Sequence, residues 1–406
     1  MAYTPEEIIQ FIMEEDVKFI RLAFCDIFGN QKNISIMPTE IDRAFETGIA
    51  IDASAIQGFG HLLHSDMFLH PDPSTISILP WRPEHGRVVR MFCTLSYPDG
   101  KPFLSDSRTV LINSIKKAQE AGYEFTFGSE IEFYLFKKDE NGNKTDIPYD
   151  NATYMDIAPS DRGENVRREI CLNLEQMGIQ PESSHHEEGP GQNEIDFRFS
   201  DPLSAADNAI TLKNVVNTAA FKNGLYADFS PKPLKNQSGN GMHINISVHK
   251  KNEKALDIEA LHSVTEGILQ KIEDITFFLN TTSASYERLG SAKAPKFISW
   301  SQQNRSQLIR VPAASGEYKR IELRSPDPCC NPYLAFALII EAGLYGIKNN
   351  LKLRKEEDIN FFEADSSVTK NFKTLPATLS QAKEKALKSD FVSSVIPKEI
   401  MDFLVK

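Results

Sequence analysis

The chain has 406 residues, a formal net charge of −11 and 41% hydrophobic residues. A chain of this length usually forms more than one hydrophobic core, so we expect a globular protein of two domains. The acidic balance argues against a nucleic-acid partner, because phosphate backbones need a basic surface, although a few arginines and metal ions could still hold a nucleotide.

The sequence contains five cysteines, and none of them forms a CxxC pair. Dispersed cysteines in an odd number argue against a disulfide framework or a structural zinc site, and they favour a reducing cytoplasm. The amino-terminal residues lack the basic start and apolar run of a signal peptide. Because no run of about 18 apolar residues occurs, we expect no membrane span and no membrane partner.

The amino-terminal part combines one helix with several strand-like segments. Residues 5–15 are amphipathic and contain a proline near their start, which predicts a helix. Four β-rich segments follow, KFIRLAFCDI, NISIMP, TISILPW and RVVRMFCTLS, and the turn signal at residues 97–100 closes the series. This pattern predicts a small α+β domain at residues 1–102.

From Ser105 onward, long helical patterns alternate with strands, which predicts a larger domain at residues 103–406. The predicted helices are 109–121, 161–177, 204–222, 256–280 and 331–349.

Four segments of the larger domain share a period-2 pattern, in which alternate side chains lie on one face of a strand. In each of them one face is apolar and the other carries carboxylates, histidine or arginines: EFTFGSEIEFYLF (124–136), NEIDFRF (193–199), GMHINISV (241–248) and RIELRS (320–325). A single strand of this kind is typical of an ordinary sheet with one solvated face. Four such strands in one sheet instead predict a site.

Clustered carboxylates repel one another unless cations lie between them. The candidate metal ligands are Glu130, Glu132, Glu187, Glu194, His243 and Glu322. Oxygen-rich ligand sets suit Mg²⁺ or Mn²⁺ rather than structural zinc. Two such ions side by side are typical of phosphoryl chemistry.

Four arginines, Arg305, Arg310, Arg320 and Arg324, lie within one short segment. They are either phosphate-binding groups or part of a solvated basic face, and composition leaves both interpretations open. The chain contains no GxxxxGK[ST] motif, which excludes a P-loop enzyme.

Several motifs occur in a fixed order along nearly the whole chain. They are IDASAIQGF (51–59), SDMFLHPD (65–72), GSEIEFYLF (128–136), HHEEGPGQNEIDFR (185–198), SGNGMHINISV (238–248), SYERL (285–289), NRSQLIRVP (304–312) and RIELRSPDPCCNPYLAFA (320–337). Together they resemble type I bacterial glutamine synthetases. The resemblance implies an α+β fold, with a small amino-terminal β-grasp-like domain and a catalytic domain whose curved antiparallel sheet is flanked by helices.

The resemblance also implies an activity. A glutamate–ammonia ligase uses ATP as co-substrate and forms glutamine through a γ-glutamyl phosphate intermediate, with two or more Mg²⁺ or Mn²⁺ ions in each site. The enzymes form homo-oligomeric rings, hexamers or dodecamers, whose active sites lie between subunits. An isolated monomer would therefore lack part of its site.

Particular residues receive roles from the resemblance. One metal site corresponds to Glu132, Glu187 and Glu194, and the other to Glu130, His243 and Glu322. The substrate residues for glutamate and the amine are Glu132, Tyr154, Gly239, His243, Arg288, Arg305 and Arg324. ATP would lie near Glu182, Ser247, Arg310 and Arg320. The catalytic residues would be Asp52, serving the neighbouring subunit, with Arg305 and Arg324.

Three departures from the family pattern concern chiefly the amine half of the site. Lys293 replaces the glutamate of the flap, Ala55 removes a hydroxyl near the ammonium pocket, and Ser238 replaces an asparagine. A lysine in the flap should repel ammonium, which favours another amine, such as a polyamine or alkylamine, as an alternative acceptor. A catalytically weak nitrogen sensor is a further alternative. Glu287 is a candidate for the missing flap carboxylate.

Two further departures concern assembly and regulation. The helical tail that joins two rings in bacterial dodecamers has no counterpart after residue 391, which favours a single hexamer or rings that are joined in another way. Residues 352–374 contain no tyrosine, so the loop that is adenylylated in some relatives has no match.

Overall fold

A computed structural model describes residues 3–59, 65–82, 85–253 and 255–404 of the chain. The amino-terminal helices are α1 (Pro5–Glu14) and α2 (Ile41–Glu46), and the strands are β1 (Val17–Cys25), β2 (Gln31–Ile36), β3 (Ile49–Asp52), β4 (Asp66–Pro71), β5 (Ser77–Ile78) and β6 (Arg87–Ser96). Helix α1 begins at a capping box, in which the Thr4 hydroxyl accepts from the backbone of Glu7 and the Glu7 carboxylate accepts from that of Thr4.

The amino-terminal strands form a mixed sheet in the order β2-β1-β6-β4-β3, with β5 beside β6. Strands β1 and β6 are parallel, and the other pairs are antiparallel. The prediction of a small α+β domain with a helix at its start is confirmed. Strands β3 and β4 were not predicted, although β3 carries Asp52 at its end.

The larger part of the chain is built on a second sheet. Its strands are β7 (Tyr123–Lys138), β8 (Lys144–Pro148), β9 (Pro181–His186), β10 (Gln192–Phe197), β11 (Leu225–Asp228), β12 (Met242–Lys250), β13 (Trp300–Gln302), β14 (Ile309–Val311) and β15 (Ile321–Leu323). The order is β13-β14-β15-β12-β7-β10-β9, and β8 and β11 also pair with β7. The prediction that the four period-2 strands share one sheet is confirmed. The pairing is antiparallel as predicted, except between β13 and β14, which are parallel.

The larger part of the chain also contains a series of helices. They are α3 (Ser107–Glu120), α4 (Glu164–Gln176), α5 (Pro202–Lys222), α6 (Ile258–Leu279), α7 (Ser283–Arg288), α8 (Pro332–Lys348), α9 (Ser366–Thr369), α10 (Leu379–Lys388), α11 (Asp390–Val395) and α12 (Lys398–Leu404). The Phe127 ring on β7 packs edge-on against Phe336 of α8, with 4.7 Å between the ring centroids. This packing buries the odd-numbered face of β7 and leaves the even-numbered face for the site.

A buried arginine joins the two parts of the chain. Arg108, at the start of α3, donates to Asp72 of the small domain at 2.8 Å and to Asp207 of α5 at 2.9 Å. The Tyr333 hydroxyl donates to the same Asp207 at 2.6 Å. Since breaking a buried charge pair is costly, these contacts fix the small domain against the larger one.

Among the helices of the described residues, none combines the length and the apolar character that crossing a membrane requires.

Candidate active site

A cavity of about 540 Å³ opens on the polar face of the larger sheet, and we call it the central cavity. Most of the residues that the sequence predicted for the site line it: Glu130, Glu132, Tyr154, Glu187, Glu194, Gly239, His243, Arg288, Arg305, Arg310, Arg320 and Arg324. The remaining four are not part of this lining: Glu322 contacts three of the lining residues, Glu182 and Ser247 line an adjacent smaller cavity, and Asp52 lines neither cavity.

Strand register brings the acidic residues together. Glu130 of β7 lies opposite His243 of β12 on one side and Asp196 of β10 on the other. Two residues further along β7, Glu132 lies opposite Glu194 of β10. Because residues that face each other across an antiparallel pair are close neighbours, these three strands concentrate carboxylates on one surface.

Among the residues of the central cavity, two groups have ligand atoms that lie close enough to hold a cation. In each group, Glu130–Glu194–His243 and His185–Glu187–Glu194, the candidate ligand atoms lie within 4.8 Å of one another. His185 was not predicted. It lies on β9 and directly precedes the HEE segment at residues 186–188. The donors are carboxylates and imidazoles, which fit a hard divalent cation.

The electrostatics of this cluster favour a cation as well. Burial, followed by repulsion from Asp196 and neighbouring glutamates, raises the pKa of Glu194 well above its usual value. Burial also raises the pKa of Asp196 to about 7. At Glu130 burial is outweighed by hydrogen bonds from His243 and Asn245, which lower the pKa to about 2. A positive ion would remove the repulsion that resists ionisation of Glu194.

Glu322, a predicted metal ligand on β15, is fully buried. Its carboxylate accepts from Arg310 at 2.6 Å and from Arg324 at 2.8 Å, and it lies 3.5 Å from Nδ1 of His243. The structure therefore places Glu322 in contact with the histidine of the acidic cluster and with two of the predicted phosphate-binding arginines.

Glu132 and Arg288 form the part of the cavity where the sequence predicted glutamate. The Glu132 carboxylate accepts from the side chain of Gln192 at 3.0 Å and from the backbone of Gly241 at 2.8 Å. Burial raises the pKa of Glu132. Arg288 is buried and donates to the backbone oxygens of Ser325 and Arg324, at 2.8 and 3.3 Å. Gln192 was not predicted, and its bond holds Glu132 in place.

A smaller cavity of about 280 Å³ shares three lining residues, Glu130, Asp196 and Arg320, with the central cavity, and we call it the side cavity. It is lined by Glu182 and Ser247, two predicted ATP-binding residues, together with three aromatic rings, Phe197, Phe199 and Tyr318. Arg320 donates to Asn245 at 2.8 Å at the junction of the two cavities. The predicted nucleotide residues are thus adjacent to the acidic cluster.

The predicted amine half is built from loops. Tyr154 lies edge-on to His185, with 5.4 Å between the ring centroids. The Lys293 ammonium lies 5.5 Å from the centre of the Tyr154 ring and forms an ion pair with Glu188. The Ser238 hydroxyl donates to the same Glu188 at 3.2 Å. Two of the departing residues, Lys293 and Ser238, therefore meet at a carboxylate that was not predicted.

Asp52 lines neither cavity. Its exposed carboxylate accepts from the backbone and the hydroxyl of Ser54, at 2.9 and 2.6 Å. These hydrogen bonds lower the pKa of Asp52, so its carboxylate stays ionised on the outside of the chain. Glu287, the candidate for the missing flap carboxylate, is exposed on α7 and lines neither cavity.

Family comparisons cover both parts of the chain. Residues 16–98 match the family model described as "Glutamine synthetase, beta-Grasp domain", and residues 104–406 match the one described as "Glutamine synthetase, catalytic domain".

Curated relatives match over nearly the whole chain. A glutamine synthetase of Methanosarcina mazei is 44% identical over 98% of this chain and 91% of its own length. One of Staphylococcus aureus is 41% identical over 98% and 92% of the two chains. One of Clostridium saccharobutylicum is 45% identical over 89% and 83%.

Solved structures share the fold. A structure titled "GmaS/ADP complex-Conformation 1" superposes with a TM-score of 0.88 and 25% identity, over 98% of this chain and 94% of that one. The structure titled "Apo GmaS without ligand" gives a TM-score of 0.86 over 98% and 93% of the two chains, again with 25% identity.

Proposed function

The chain belongs to the glutamine synthetase family, and from this membership we propose how its two cavities carry out the family reaction. The protein is a glutamate–ammonia ligase that forms glutamine. The observation that carries the proposal is the convergence of carboxylates, a histidine and arginines from neighbouring strands and loops on one cavity, which continues into a second cavity suited to a nucleotide.

The reaction has two steps that balance without further reactants. A γ-carboxylate oxygen of glutamate attacks the γ-phosphorus of ATP, and the bond from that phosphorus to the bridging oxygen of ADP breaks. The nitrogen of ammonia then attacks the carbonyl carbon of γ-glutamyl phosphate, and inorganic phosphate leaves. One proton must be removed from ammonium before this attack, and a second leaves the attacking nitrogen as the amide forms and can depart with the phosphate as hydrogen phosphate.

We assign the positive side chains to the charged parts of the substrates. Arg288 holds a carboxylate of glutamate, since a guanidinium can donate two parallel hydrogen bonds to such a group. Arg305 and Arg324 stabilise the charge on the transferring phosphoryl group. The buried Glu322 holds Arg310 and Arg324 in a fixed orientation, which supports this assignment.

We assign two cations, Mg²⁺ or Mn²⁺, to the acidic cluster. Glu132, Glu187 and Glu194 would hold one, and Glu130, His243 and Glu322 the other. The contact between His185, Glu187 and Glu194 makes His185 an additional candidate donor. When bound there, the cations would neutralise negative charge on phosphate oxygens.

We place the adenine nucleotide in the side cavity, near Glu182, Ser247 and Arg320. Its aromatic residues, Phe197, Phe199 and Tyr318, offer apolar surfaces for a base. Because Arg310 and Arg320 line the central cavity next to it, the triphosphate would extend from the side cavity toward the acidic cluster.

We further propose that the chain works as a homo-oligomeric ring. The support is Asp52, which is exposed and lines neither cavity of its own chain, so it is available to a neighbouring subunit. In that position it would attract ammonium and accept its proton. We assign the enzyme to the cytoplasm, in agreement with five cysteines that form no disulfide.

One observation favours a second acceptor. The alkylammonium group of Lys293 lies over Tyr154 in the amine half of the cavity, so a small primary alkylamine would find the same ring and carboxylate there. We expect ammonium to be the better acceptor and methylamine to be a weaker one.

Phosphate release tests the proposal. The enzyme is assayed with ATP, glutamate and Mg²⁺ or Mn²⁺, without an acceptor and with ammonium, methylamine or a polyamine. We expect release that depends on glutamate and is fastest with ammonium. Release only with another amine would transfer the function to that acceptor. Tight nucleotide binding without release would instead indicate a sensor.

A further inference from the structure

The ion pair between Lys293 and Glu188 lies in the lining of the central cavity. The Lys293 side chain is 55% exposed and that of Glu188 is 29% exposed, so water reaches both partners. Exposed ion pairs of this kind are weak and easily exchanged. An incoming cation can therefore replace the lysine without breaking a buried interaction.

The two partners differ in how firmly they are held. Glu188 lies beside Gly189, where a Cβ atom would lie 1.9 Å from the Tyr134 hydroxyl, so the chain is tightly packed at this point. That hydroxyl donates at 2.6 Å to the backbone oxygen of Ser238, whose side chain supports the Glu188 carboxylate. The carboxylate thus belongs to a well-fixed wall of the cavity.

Lys293 instead projects from a tight turn. The backbone of Ala294 donates to Ser291 at 3.0 Å, and Gly290 donates to Ala294 at 3.1 Å. The guanidinium of Arg324 donates to the Lys293 backbone oxygen at 3.3 Å, which ties the turn to the cavity. Within the described residues, the Lys293 ammonium pairs with the Glu188 carboxylate and lies over the Tyr154 ring.

These groups form a recognition site for a primary ammonium ion. A carboxylate supplies the counter-charge, a hydroxyl orients the carboxylate, and an aromatic ring centre lies within the distance, about 6 Å, over which a ring attracts a cation. The occupant is the chain's own lysine ammonium. The acceptor of the ligase reaction belongs to the same chemical class.

We propose that Glu188 is the carboxylate that binds the acceptor ammonium from within the chain, and that Lys293 is a competitor which occupies this place until the acceptor displaces it. The inference rests on the proposed function, because it assigns a place to the acceptor of that reaction. Lys293 then sets the apparent affinity for ammonium without taking part in phosphoryl transfer.

Steady-state kinetics with three single variants test the proposal. In Lys293→Met, which keeps the side-chain length but removes the charge, we expect the KM for ammonium to fall about two- to fivefold, with kcat and the KM values for ATP and glutamate unchanged. In Glu188→Gln we expect the KM for ammonium to rise about tenfold. The matched control Lys296→Met, three residues further along the chain, should leave all values unchanged.

The double variant Glu188→Gln/Lys293→Met separates competition from a general change of charge. We expect Lys293→Met to have no effect on the KM for ammonium once Glu188 is neutral, because the lysine no longer has a partner in the site. A decrease of equal size in both backgrounds would show that Lys293 acts by long-range repulsion and would overturn the proposal. So would an unchanged KM for ammonium in Glu188→Gln.

The two proposals fail in different ways. A wild-type enzyme without ammonium-dependent phosphate release would overturn the proposed function. A wild-type enzyme with normal release, but with variants whose KM for ammonium does not change, would overturn only the role of Glu188 and Lys293. The melting temperature of each variant, measured alongside, identifies any loss that comes from unfolding.

Discussion

The two halves of the central cavity are built in different ways. The strand-borne half consists of Glu130, Glu132, Glu194, His243 and Glu322, whose positions are set by backbone pairing between β7, β10, β12 and β15. The loop-borne half consists of Tyr154, Glu188, Ser238 and Lys293, which lie outside regular strands. The first half is mostly buried, whereas the Tyr154 and Lys293 side chains are exposed.

This difference indicates a division of labour. Groups that handle phosphoryl charge need fixed positions, which a sheet provides, while groups that choose a small acceptor can lie on loops that tolerate change. All three departures from the family pattern fall outside the strands, at Ala55, Ser238 and Lys293. Changes in the strand-borne half should therefore affect turnover, and changes in the loop-borne half should affect acceptor affinity.

The largest effect is expected for Glu322→Ala in the strand-borne half. The change leaves the guanidinium groups of Arg310 and Arg324 without their buried carboxylate, which should cost about 3 to 5 kcal/mol in the free energy of unfolding. We expect kcat to fall at least about 10³-fold, because both the charge balance and the arginine positions are lost. Phosphate release and chemical denaturation measure the two quantities.

The matched control for this change is Glu384→Ala, which removes an exposed carboxylate paired with Lys388 on α10. It should leave kcat and the unfolding midpoint unchanged. Normal turnover in Glu322→Ala would contradict the expectation that changes in the strand-borne half lower turnover.

The next largest effect is expected for Asp52, which lines neither half of the central cavity in its own chain. If Asp52 completes the site of a neighbouring subunit, Asp52→Asn should lower kcat about 10²-fold or more, since it removes a proton acceptor. Arg324→Ala should be at least as damaging. When the two variants are co-expressed with different tags and purified as mixed oligomers, random assembly should restore about a quarter of the wild-type sites.

Recovery of activity in the mixture, compared with each variant alone, is the measurement. The absence of recovery in mixed oligomers of confirmed composition would contradict a shared site and would place Asp52 in a different role.

A moderate effect is expected for Glu194→Gln, measured by thermal unfolding. In the wild type, Mg²⁺ or Mn²⁺ at about 100 times its dissociation constant should add about 2.7 kcal/mol, which raises the Tm by several degrees. The variant should lose most of this rise. Without divalent cations its Tm should equal or exceed that of the wild type, because burial and neighbouring carboxylates raise the pKa of Glu194 and a neutral amide relieves the repulsion.

A chelator provides the control, because it should return the wild type to its lower Tm and should lower the Tm of the variant only by the small rise that the variant keeps. An equal cation-dependent rise in both proteins would show that Glu194 contributes nothing to cation binding.

The smallest effect is expected for Ser238→Ala in the loop-borne half. The change removes one partly exposed hydrogen bond to Glu188, of 3.2 Å, which is usually worth about 0.5 kcal/mol. We expect the KM for ammonium to rise about twofold and kcat to stay the same. Ser394→Ala, at an exposed serine of α11, is the control. A large fall in kcat would show that Ser238 contributes to turnover, and it would contradict the expectation that residues of the loop-borne half affect only acceptor affinity.

The strand-borne half could be predicted because its signal is local. The alternation of Glu130 and Glu132 with buried phenylalanines marks one face of β7, and the same rule holds on β10, β12 and β15. By contrast, β9 has the sequence PESSHH and lies at the edge of the sheet, so it lacks an apolar period and His185 was missed. An alternation of apolar and polar residues reveals a site residue only where one of the two faces of its strand is buried.

The loop-borne half could not be predicted from local pattern. Lys293 and Glu188 are far apart in sequence, and no periodicity relates a flap lysine to an acidic residue beside Glu187. The sequence predicted only that Lys293 repels ammonium, and nothing in it indicated that Glu188 pairs with this lysine. The domain boundary and the individual residue roles remain predictions.

Arg108 has a mechanical consequence for an assembled ring. Its bonds to Asp72 and Asp207 hold the small domain against helices α3 and α5. Asp52 belongs to the small domain, so these bonds restrain its position relative to the larger sheet of the same chain. In the proposed ring, Asp52 would therefore reach the neighbouring subunit from a domain whose orientation Arg108 restrains.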